Sequence, residues 1–472
     1  ETFDYTEYPS LIRGGHNTYQ VMVDDLEVNS VTKGVDILVA LNKETIDLHR
    51  AELTVGSMVI YDKDKISNIR AIEGINFLPL GLTTLAKQAG SELMRNVVAL
   101  GATLAVLEQP RNFADQVVRE TFGPKGREVT KNNLQALLLG YQEAKKVYQE
   151  KFKCFLPPKQ KNNNILIAAN EALALGAVAN GLNFYAGYPM TPSSSILQYI
   201  AGIAEKVGIV FKHAEDEISV INMCLGAAHV GARAMTATSG GGFALMTEAL
   251  GLAGITETPL VIVDSQRPGP ATGLPTWTEQ GDLQFMLHAA PGDFPRIIMA
   301  PGDTSEAFCM GAEALNLAEI YQTPVIILLD KFLSEGLSTV PEFSTQGLKI
   351  KRGKLLSQEQ LNKLSKFERY KLTADGISAR ALPGMKNGLF IANSDEHDSG
   401  GYSRESAQNR QQQVDKRAVK LQSFAKVMPE PIIYGNPKAK KTVVVWGSTK
   451  GPVLDAYNLL SKKQQSNIKI LQ

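Results

Sequence analysis

The chain has 472 residues, and its 49 Lys+Arg against 48 Asp+Glu leave a formal charge of +1 at pH 7. That length provides for roughly two to four domains with buried cores of their own, and the balanced charge excludes the one-sided basic footprint of a nucleic-acid binder. A hydrophobic content of 44%, with 40 Gly and 22 Pro, excludes bulk disorder.

Short apolar runs alternate with amphipathic stretches through the first 150 residues. Val35–Leu41 reads as a buried strand, Lys43–Leu53 as a helix, and Ser57–Tyr61 as a second strand ending in the turn residues Asp62, Lys63 and Asp64. Helices are expected over Leu82–Leu107 and Lys131–Phe152. Residues 157–164 are polar and proline-bearing and read as a linker. From Ile165 the alternation becomes regular, with strands expected at Asn183–Gly187, Ile209–His213, Arg233–Thr238, Leu260–Asp264, Arg296–Ala300 and Pro324–Asp330. Helices are expected between them at Glu171–Ala179, Ser194–Lys206, Glu217–Val230, Ala244–Thr256 and Thr304–Tyr321. This spacing predicts a mostly parallel sheet covered on both faces, with ligands outside the C-terminal strand ends. After Pro341 the chain turns charged and irregular through Pro437, with basic runs at Lys349–Arg352 and Lys363–Lys371. A solvated linker and a partner-binding arm both remain open for that stretch. A strand at Thr442–Trp446 and a helix at Pro452–Leu460 read as the start of another βα domain. The chain opens at Glu1 without Met and stops at Gln472 just after a strand pattern, so both ends are expected to be cut from a longer polypeptide.

Cys154, Cys224 and Cys309 lie far apart and form no CxxC pair. They are too few for a four-ligand zinc or iron–sulfur site on this chain and fit the reduced, buried thiols of a cytoplasmic protein. The most apolar window, Ile165–Met190, is interrupted by Asn170, Glu171, Asn180 and Asn183 and reads as buried helix and strand, with no signal peptide or membrane span.

Nucleotide motifs are weak. Gly447–Gly451 lacks the P-loop spacing, and Ser239–Phe243, though Gly-dense between strand and helix, does not match G-x-G-x-x-G. The latter can offer backbone amides to an anion or can simply permit close packing. The strand ends are more informative. Gly187-Tyr188-Pro189-Met190-Thr191-Pro192 uses two prolines to fix the backbone, which presents the Thr191 hydroxyl at a strand mouth and leaves a nearby Ser to cap the next helix. Glu215, Asp216 and Glu217 enter an apolar helix. Dipole stabilisation alone accounts for acids there, but Glu217 precedes Ile218, Ile221 and Cys224 and can serve as an acid–base group at a buried edge. Arg267 leaves its strand into a Pro/Gly-interrupted loop, where its guanidinium can fork a carboxylate; a surface Arg on a plain loop is the alternative.

At these residues the chain resembles the 2-oxoacid:ferredoxin oxidoreductases. Tyr188-Pro189-Met190-Thr191-Pro192 is similar to that family's Tyr-Pro-Ile-Thr-Pro signature. Glu215-Asp216-Glu217, Thr238–Phe243 and the Arg267–Thr276 loop resemble its alpha subunit in the same order. Arg13-Gly14-Gly15-His16, Val35–Ala40 and Asn96–Gly101 resemble the gamma domain fused ahead of alpha in some members, and Ile377–Gly384 with Asp395-Glu396-His397 resembles the downstream connector.

The resemblance implies an α/β chain in five parts. A gamma-type domain spans 1–156, a linker 157–164, and a pyrimidine-type thiamine-diphosphate domain with a parallel sheet 165–340. An irregular connector follows over 341–440, then the truncated start of a transketolase C-terminal-like domain over 441–472. It further implies oxidation of a 2-oxoacid to its acyl-CoA, with thiamine diphosphate as cofactor, coenzyme A as co-substrate and ferredoxin as electron acceptor. Glu217 matches the glutamate that hydrogen-bonds the cofactor's aminopyrimidine, Arg267 the arginine that holds the substrate carboxylate, and Thr191 the hydroxyl at its carboxylate or oxo group. Tyr188, Pro189, Gly240 and Gly241 fall on the cofactor side, and Thr272, Gly273, Pro275 and Thr276 on the substrate side. The diphosphate and Mg site is expected on a separate beta subunit and the 4Fe–4S clusters there or on a ferredoxin-like subunit, with a second alpha–beta pair as a further partner and neither nucleic acid nor membrane involved. Gly241 stands where the family often has Pro, and Ala271 where it often has Ser, which removes a hydroxyl from the substrate loop. The fused layout and the Gly269–Thr276 loop look most like the 2-oxoglutarate branch, with pyruvate or a broad or branched-chain 2-oxoacid range as the alternative. A non-catalytic assembly subunit and a thiamine enzyme without redox chemistry are the competing classes.

Overall fold

The computed structural model describes every residue except 12, 13, 155 and 157–162. Arg13 of the gamma-like motif and most of the expected linker therefore lie outside the described residues. The chain divides into two compact units, Glu1–Val31 with Asn163–Gln472, and Thr32–Asn162. The spatial division thus differs from the expected first domain at 1–156. Strands β1 (Thr2–Glu7) and β2 (Thr18–Val23) pair with each other and, through β1, with a strand more than three hundred residues away, which places the first 31 residues in the larger unit.

The smaller unit is built on three parallel strands, β3 (Val35–Ala40), β4 (Leu53–Asp62) and β5 (Asn76–Leu80), in that order. The expected helix after β3 is Lys43–His49, capped by the Asn42 side chain, and a turn of 3₁₀ helix follows it. The expected long helix from Leu82 is two, Leu82–Ala89 and Arg95–Val106, because Gly90 takes a φ of +130° that ends the first. Helix Arg95–Val106 crosses helix Arg127–Val147 at glycines: a Cβ on Gly101 would lie 2.1 Å from the Leu137 carbonyl oxygen. Met58, Ile60, Leu78, Leu80, Val98 and Ala136 fill the core between sheet and helices.

The larger unit holds the regular alternation. Strand β6 (Asn164–Ala168) belongs with β1 and β2 in an antiparallel sheet ordered β2–β1–β13–β6, where β13 is Leu337–Pro341. Strands β7 (Phe184–Gly187), β8 (Val210–His213), β9 (Ala234–Thr238), β10 (Leu260–Gln266), β11 (Ile297–Met299) and β12 (Pro324–Asp330) form an all-parallel sheet in the order β11–β12–β10–β9–β7–β8. Burial on both faces explains the continuous apolar runs of β10 and β12. Val261, Val263, Val325 and Ile327 enter one core, and Leu260, Ile262, Ile326 and Leu328 the other. Helices Ala169–Ala179, Ser194–Val207 and Thr304–Tyr321 cover the first face; Glu217–His229 and Gly240–Ile255 cover the second.

The stretch after Pro341 is more ordered than expected. It contains a 19-residue helix, Ala407–Ala425, which buries Gln413, Lys416, Arg417 and Lys420. Lys416 and Lys420 reach Glu257 at 2.5 and 2.6 Å. Arg380 and Arg352 join Arg233 on Glu319 at 2.6–2.9 Å. Part of the basic character of the segment is thus directed at two buried glutamates of the same unit, while Lys349, Lys351, Lys363, Lys366 and Lys371 of the two basic runs stay exposed. The chain ends in a three-stranded sheet of β14 (Ile433–Gly435), β15 (Lys441–Val444) and β16 (Ile468–Leu471), with helix Lys450–Asn458 beside it. The Lys450 amine of the Gly-rich turn pairs with Asp303 and Glu306. Of the three cysteines only Cys224 is buried; Cys309 is exposed, contrary to the expectation of buried thiols.

Candidate active site

The C-terminal ends of β7, β9 and β10 and the helix that follows β8 bring the sequence candidates to one side of the parallel sheet. After β7, Tyr188 and Pro189 are exposed and Pro192 is buried. The Ser193 hydroxyl donates to the Met190 carbonyl at 2.7 Å, closing the turn, and makes no cap to the following helix, contrary to the expected capping Ser. Asn170 clamps the turn from below. Fully buried, it donates from Nδ2 to the Pro192 carbonyl at 2.9 Å and to Ser195 Oγ at 2.8 Å. In the sequence Asn170 stands out only as an interruption of an apolar window; a buried amide in an Ala-rich helix is the signal that marks it.

Arg267 lies one residue past β10 and is 8% exposed. Its Nη1 donates to the Thr191 carbonyl at 2.7 Å, so two predicted residues from distant strands meet directly. The contact uses the Thr191 backbone and leaves the hydroxyl to other partners. Arg267 Nε is buried without a partner among the described residues. Burial pulls the guanidinium pKa down, while Asp264 and Asp282 oppose that shift.

After β8, Asp216 and Glu217 divide two roles the sequence left merged. Asp216 is the helix cap, accepting from the Ser219 amide at 2.7 Å, which is the expected service of an acid at a helix start. Glu217, 4% exposed, performs no such service, and its Oε1 is buried with no hydrogen-bond partner among the described residues. Helix Gly240–Ile255 presses its first turn against this carboxyl. A Cβ on Gly242 would lie 2.6 Å from Glu217 Oε1 and 2.2 Å from Thr238 Oγ1, so only glycine fits there.

The loop after Arg267 divides as well. Thr272 and Gly273 are exposed at its tip, Pro275 is half-buried, and Thr276 is buried with its hydroxyl donated to the Tyr8 carbonyl. Gly273 takes a φ of +53° and packs so closely that a Cβ would lie 1.8 Å from the Pro268 carbonyl oxygen. Gly241 faces the same loop: its Cβ would lie 3.6 Å from the Ala271 carbonyl oxygen. The two departures from the family pattern, Gly241 and Ala271, therefore sit against each other.

A buried carboxylate oxygen with no donor among the described residues fits an amino or ring N–H group of a heteroaromatic cofactor. These residues fit the aminopyrimidine end of thiamine diphosphate. A family described as "Pyruvate flavodoxin/ferredoxin oxidoreductase, thiamine diP-bdg" matches residues 175–416, and one described as "Pyruvate ferredoxin/flavodoxin oxidoreductase" matches residues 1–143. The chain belongs to the 2-oxoacid:ferredoxin oxidoreductases. It is 34% identical to the 2-oxoacid:ferredoxin oxidoreductase subunit alpha of Saccharolobus solfataricus, over 97% of this chain and 80% of that one. It is 32% identical to the 2-oxoglutarate oxidoreductase subunit KorA of Mycobacterium tuberculosis, over 70% of this chain and 56% of that one. A solved structure of the 2-oxoglutarate:ferredoxin oxidoreductase from Magnetococcus marinus, with 2-oxoglutarate, coenzyme A and succinyl-CoA bound, superimposes with a TM-score of 0.91 at 33% identity. That match covers 100% of this chain and 82% of that one. This 2-oxoacid:ferredoxin oxidoreductase chain is thus an alpha-type subunit of a multi-subunit enzyme, and residues 175–416 are its thiamine-diphosphate-binding region. Among the described residues no helix is long and apolar enough to cross a membrane.

Proposed function

We propose that the chain supplies the alpha wall of an active site that oxidatively decarboxylates 2-oxoglutarate to succinyl-CoA, with ferredoxin taking the electrons. The observation that carries this reading is the buried, partnerless Oε1 of Glu217 beside strand ends that also hold the Arg267–Thr191 contact. The choice of 2-oxoglutarate is supported by the 2-oxoglutarate and succinyl-CoA bound in the Magnetococcus marinus structure, which this chain matches along its whole length.

When bound, thiamine diphosphate supplies a carbon nucleophile for the 2-oxo group and an electron sink for the decarboxylated fragment. Glu217 holds a proton-sharing contact at Oε1 with the cofactor's aminopyrimidine, out of water, where such a contact is strongest. Arg267 binds the substrate carboxylate through the donors that Thr191 leaves free, and its bond to the Thr191 carbonyl fixes the fork before substrate arrives. The Thr191 hydroxyl lies on the same turn for the carboxylate or oxo group. Tyr188, Pro189, Gly240 and Gly241 border the cofactor, and the exposed Thr272 and Gly273, with Pro275, border the substrate. Thr276 acts through the loop, which it ties to Tyr8.

The diphosphate with its Mg and the 4Fe–4S clusters belong, in this proposal, to a partner beta subunit. Support comes from the three separate cysteines of this chain, none in a disulfide. Ferredoxin and a second alpha–beta pair complete the assembly, and the site of action is the cytoplasm.

The test is viologen reduction by the assembled complex across a 2-oxoacid panel, with and without coenzyme A. The expected result is preference for 2-oxoglutarate and dependence on coenzyme A. A pyruvate preference overturns the substrate choice, and an intact complex idle on every oxoacid overturns the catalytic reading. Replacing Arg267 by Ala is expected to raise KM roughly 10- to 100-fold, the scale of a lost charge-assisted hydrogen bond, with a smaller loss in kcat.

A further inference from the structure

Behind the Gly240–Gly242 turn lies an acid pair that no sequence motif singles out. Asp264 is fully buried near the end of β10, and no N–H or O–H group of the described residues donates to either of its carboxyl oxygens. The acid that acts on it is Asp282, whose Oδ2 is likewise buried with no donor among the described residues. Two carboxyl groups can hydrogen-bond only through a proton carried by one of them. Asp282 is fixed from both sides. Its amide donates to Gln266 Oε1 at 3.0 Å, and its carboxyl packs on Gly240, where a Cβ would lie 2.7 Å from Oδ2. Burial, then the neighbouring Asp282, hold the Asp264 pKa well above the usual carboxylate range, and burial raises that of Asp282 too. The charged groups acting on the pair are Arg267, which attracts both members, and Glu279 of the same loop, which repels Asp282.

We propose that Asp264 and Asp282 share one proton and act as a single negative counter-charge that positions Arg267 and makes its hold on the substrate carboxylate pH-dependent. With one proton the pair carries one negative charge against one positive charge on Arg267, and the guanidinium remains free to take an incoming anion. Loss of that proton gives the pair a second negative charge, which competes for Arg267 and repels the substrate. Both residues are positioning residues, and the proposal rests on the reading of Arg267 as the carboxylate anchor.

The experiment is the pH profile of KM and kcat for 2-oxoglutarate in the assembled complex, for the unmodified protein and for Asp264→Asn, Asp282→Asn and Arg267→Ala. An Asn at 264 can donate to Asp282 in place of the shared proton while remaining neutral. The unmodified enzyme should show KM rising on the alkaline side, by up to about tenfold per pH unit, the limit for one titrating proton. Both Asn variants should flatten that rise, with less change in the kcat profile. Infrared spectra of complex labelled with isotopic aspartate should show a protonated-carboxyl band near neutral pH that Asp264→Asn removes. A wild-type KM slope retained in both Asn variants, or no such band, overturns the proposal. Unchanged KM in Arg267→Ala overturns the anchor itself; raised KM there with unchanged slopes in the Asn variants overturns the coupling alone.

Discussion

The larger unit buries charge in two places and handles it in opposite ways. At the strand mouths, Glu217 Oε1, both Asp264 oxygens and Asp282 Oδ2 are buried with no donor among the described residues. Elsewhere, the segment after Pro341 brings cations to two buried glutamates: Lys416 and Lys420 to Glu257, Arg380 and Arg352 with Arg233 to Glu319. An acid left uncompensated inside a protein costs stability, so the first arrangement persists where a ligand or a proton completes it. The second holds the long polar segment onto the fold. The same residue type thus marks chemistry in one region and architecture in the other, and its partners distinguish the two.

That contrast can be broken by mutation. The largest effect on stability is expected for Glu257→Gln, which leaves two fully buried lysines facing no carboxylate. The loss should be about 3–5 kcal/mol in denaturant unfolding, and a loss below about 1 kcal/mol would refute the structural role of the cluster. Opposite pH responses should follow. Burial raises the Glu257 pKa, but Lys420, Lys416 and Arg369 outweigh it and hold the carboxyl well below its usual range, so its contribution is full above that range and lost as pH falls. Asp264 has a raised pKa in the folded state, so its contribution is full at low pH and lost as pH rises from the ordinary carboxyl range. Stability curves of Glu257→Gln and Asp264→Asn should flatten on the acid and alkaline sides respectively; the reverse assignment would contradict this division of roles. The smallest effect is expected for Lys366→Ala, which removes an exposed pair with Glu368 from a run that reads as equally basic. It should change stability by under about 0.5 kcal/mol.

The parallel sheet was readable because its central strands β9, β10 and β12 are buried along their whole length, and two of its helices open on an Asp cap. Pro324–Asp330 and Thr304–Tyr321 have the limits that pattern predicts, the helix being capped by Asp303. The helix Ala407–Ala425 was not readable, since its buried residues are Gln, Lys and Arg and its partners lie far away in sequence. Strand β1 was missed too, although it pairs along its whole length with the nearby β2; what the sequence does not announce is its distant second partner, β13. At the site, Thr191, Glu217 and Arg267 stood out at strand ends with distinctive neighbours. Asp264 and Asp282 did not, because each is an ordinary acid until the loop between them folds one onto the other.

The central claim is that Glu217, left without a partner by this chain, completes a cofactor. The most direct measurement is 2-oxoacid-dependent viologen reduction by the assembled complex carrying Glu217→Gln. Because Glu217 Oε1 has no partner to lose, the variant should assemble normally and still be inactive. Near-normal turnover in the intact variant complex would contradict the account.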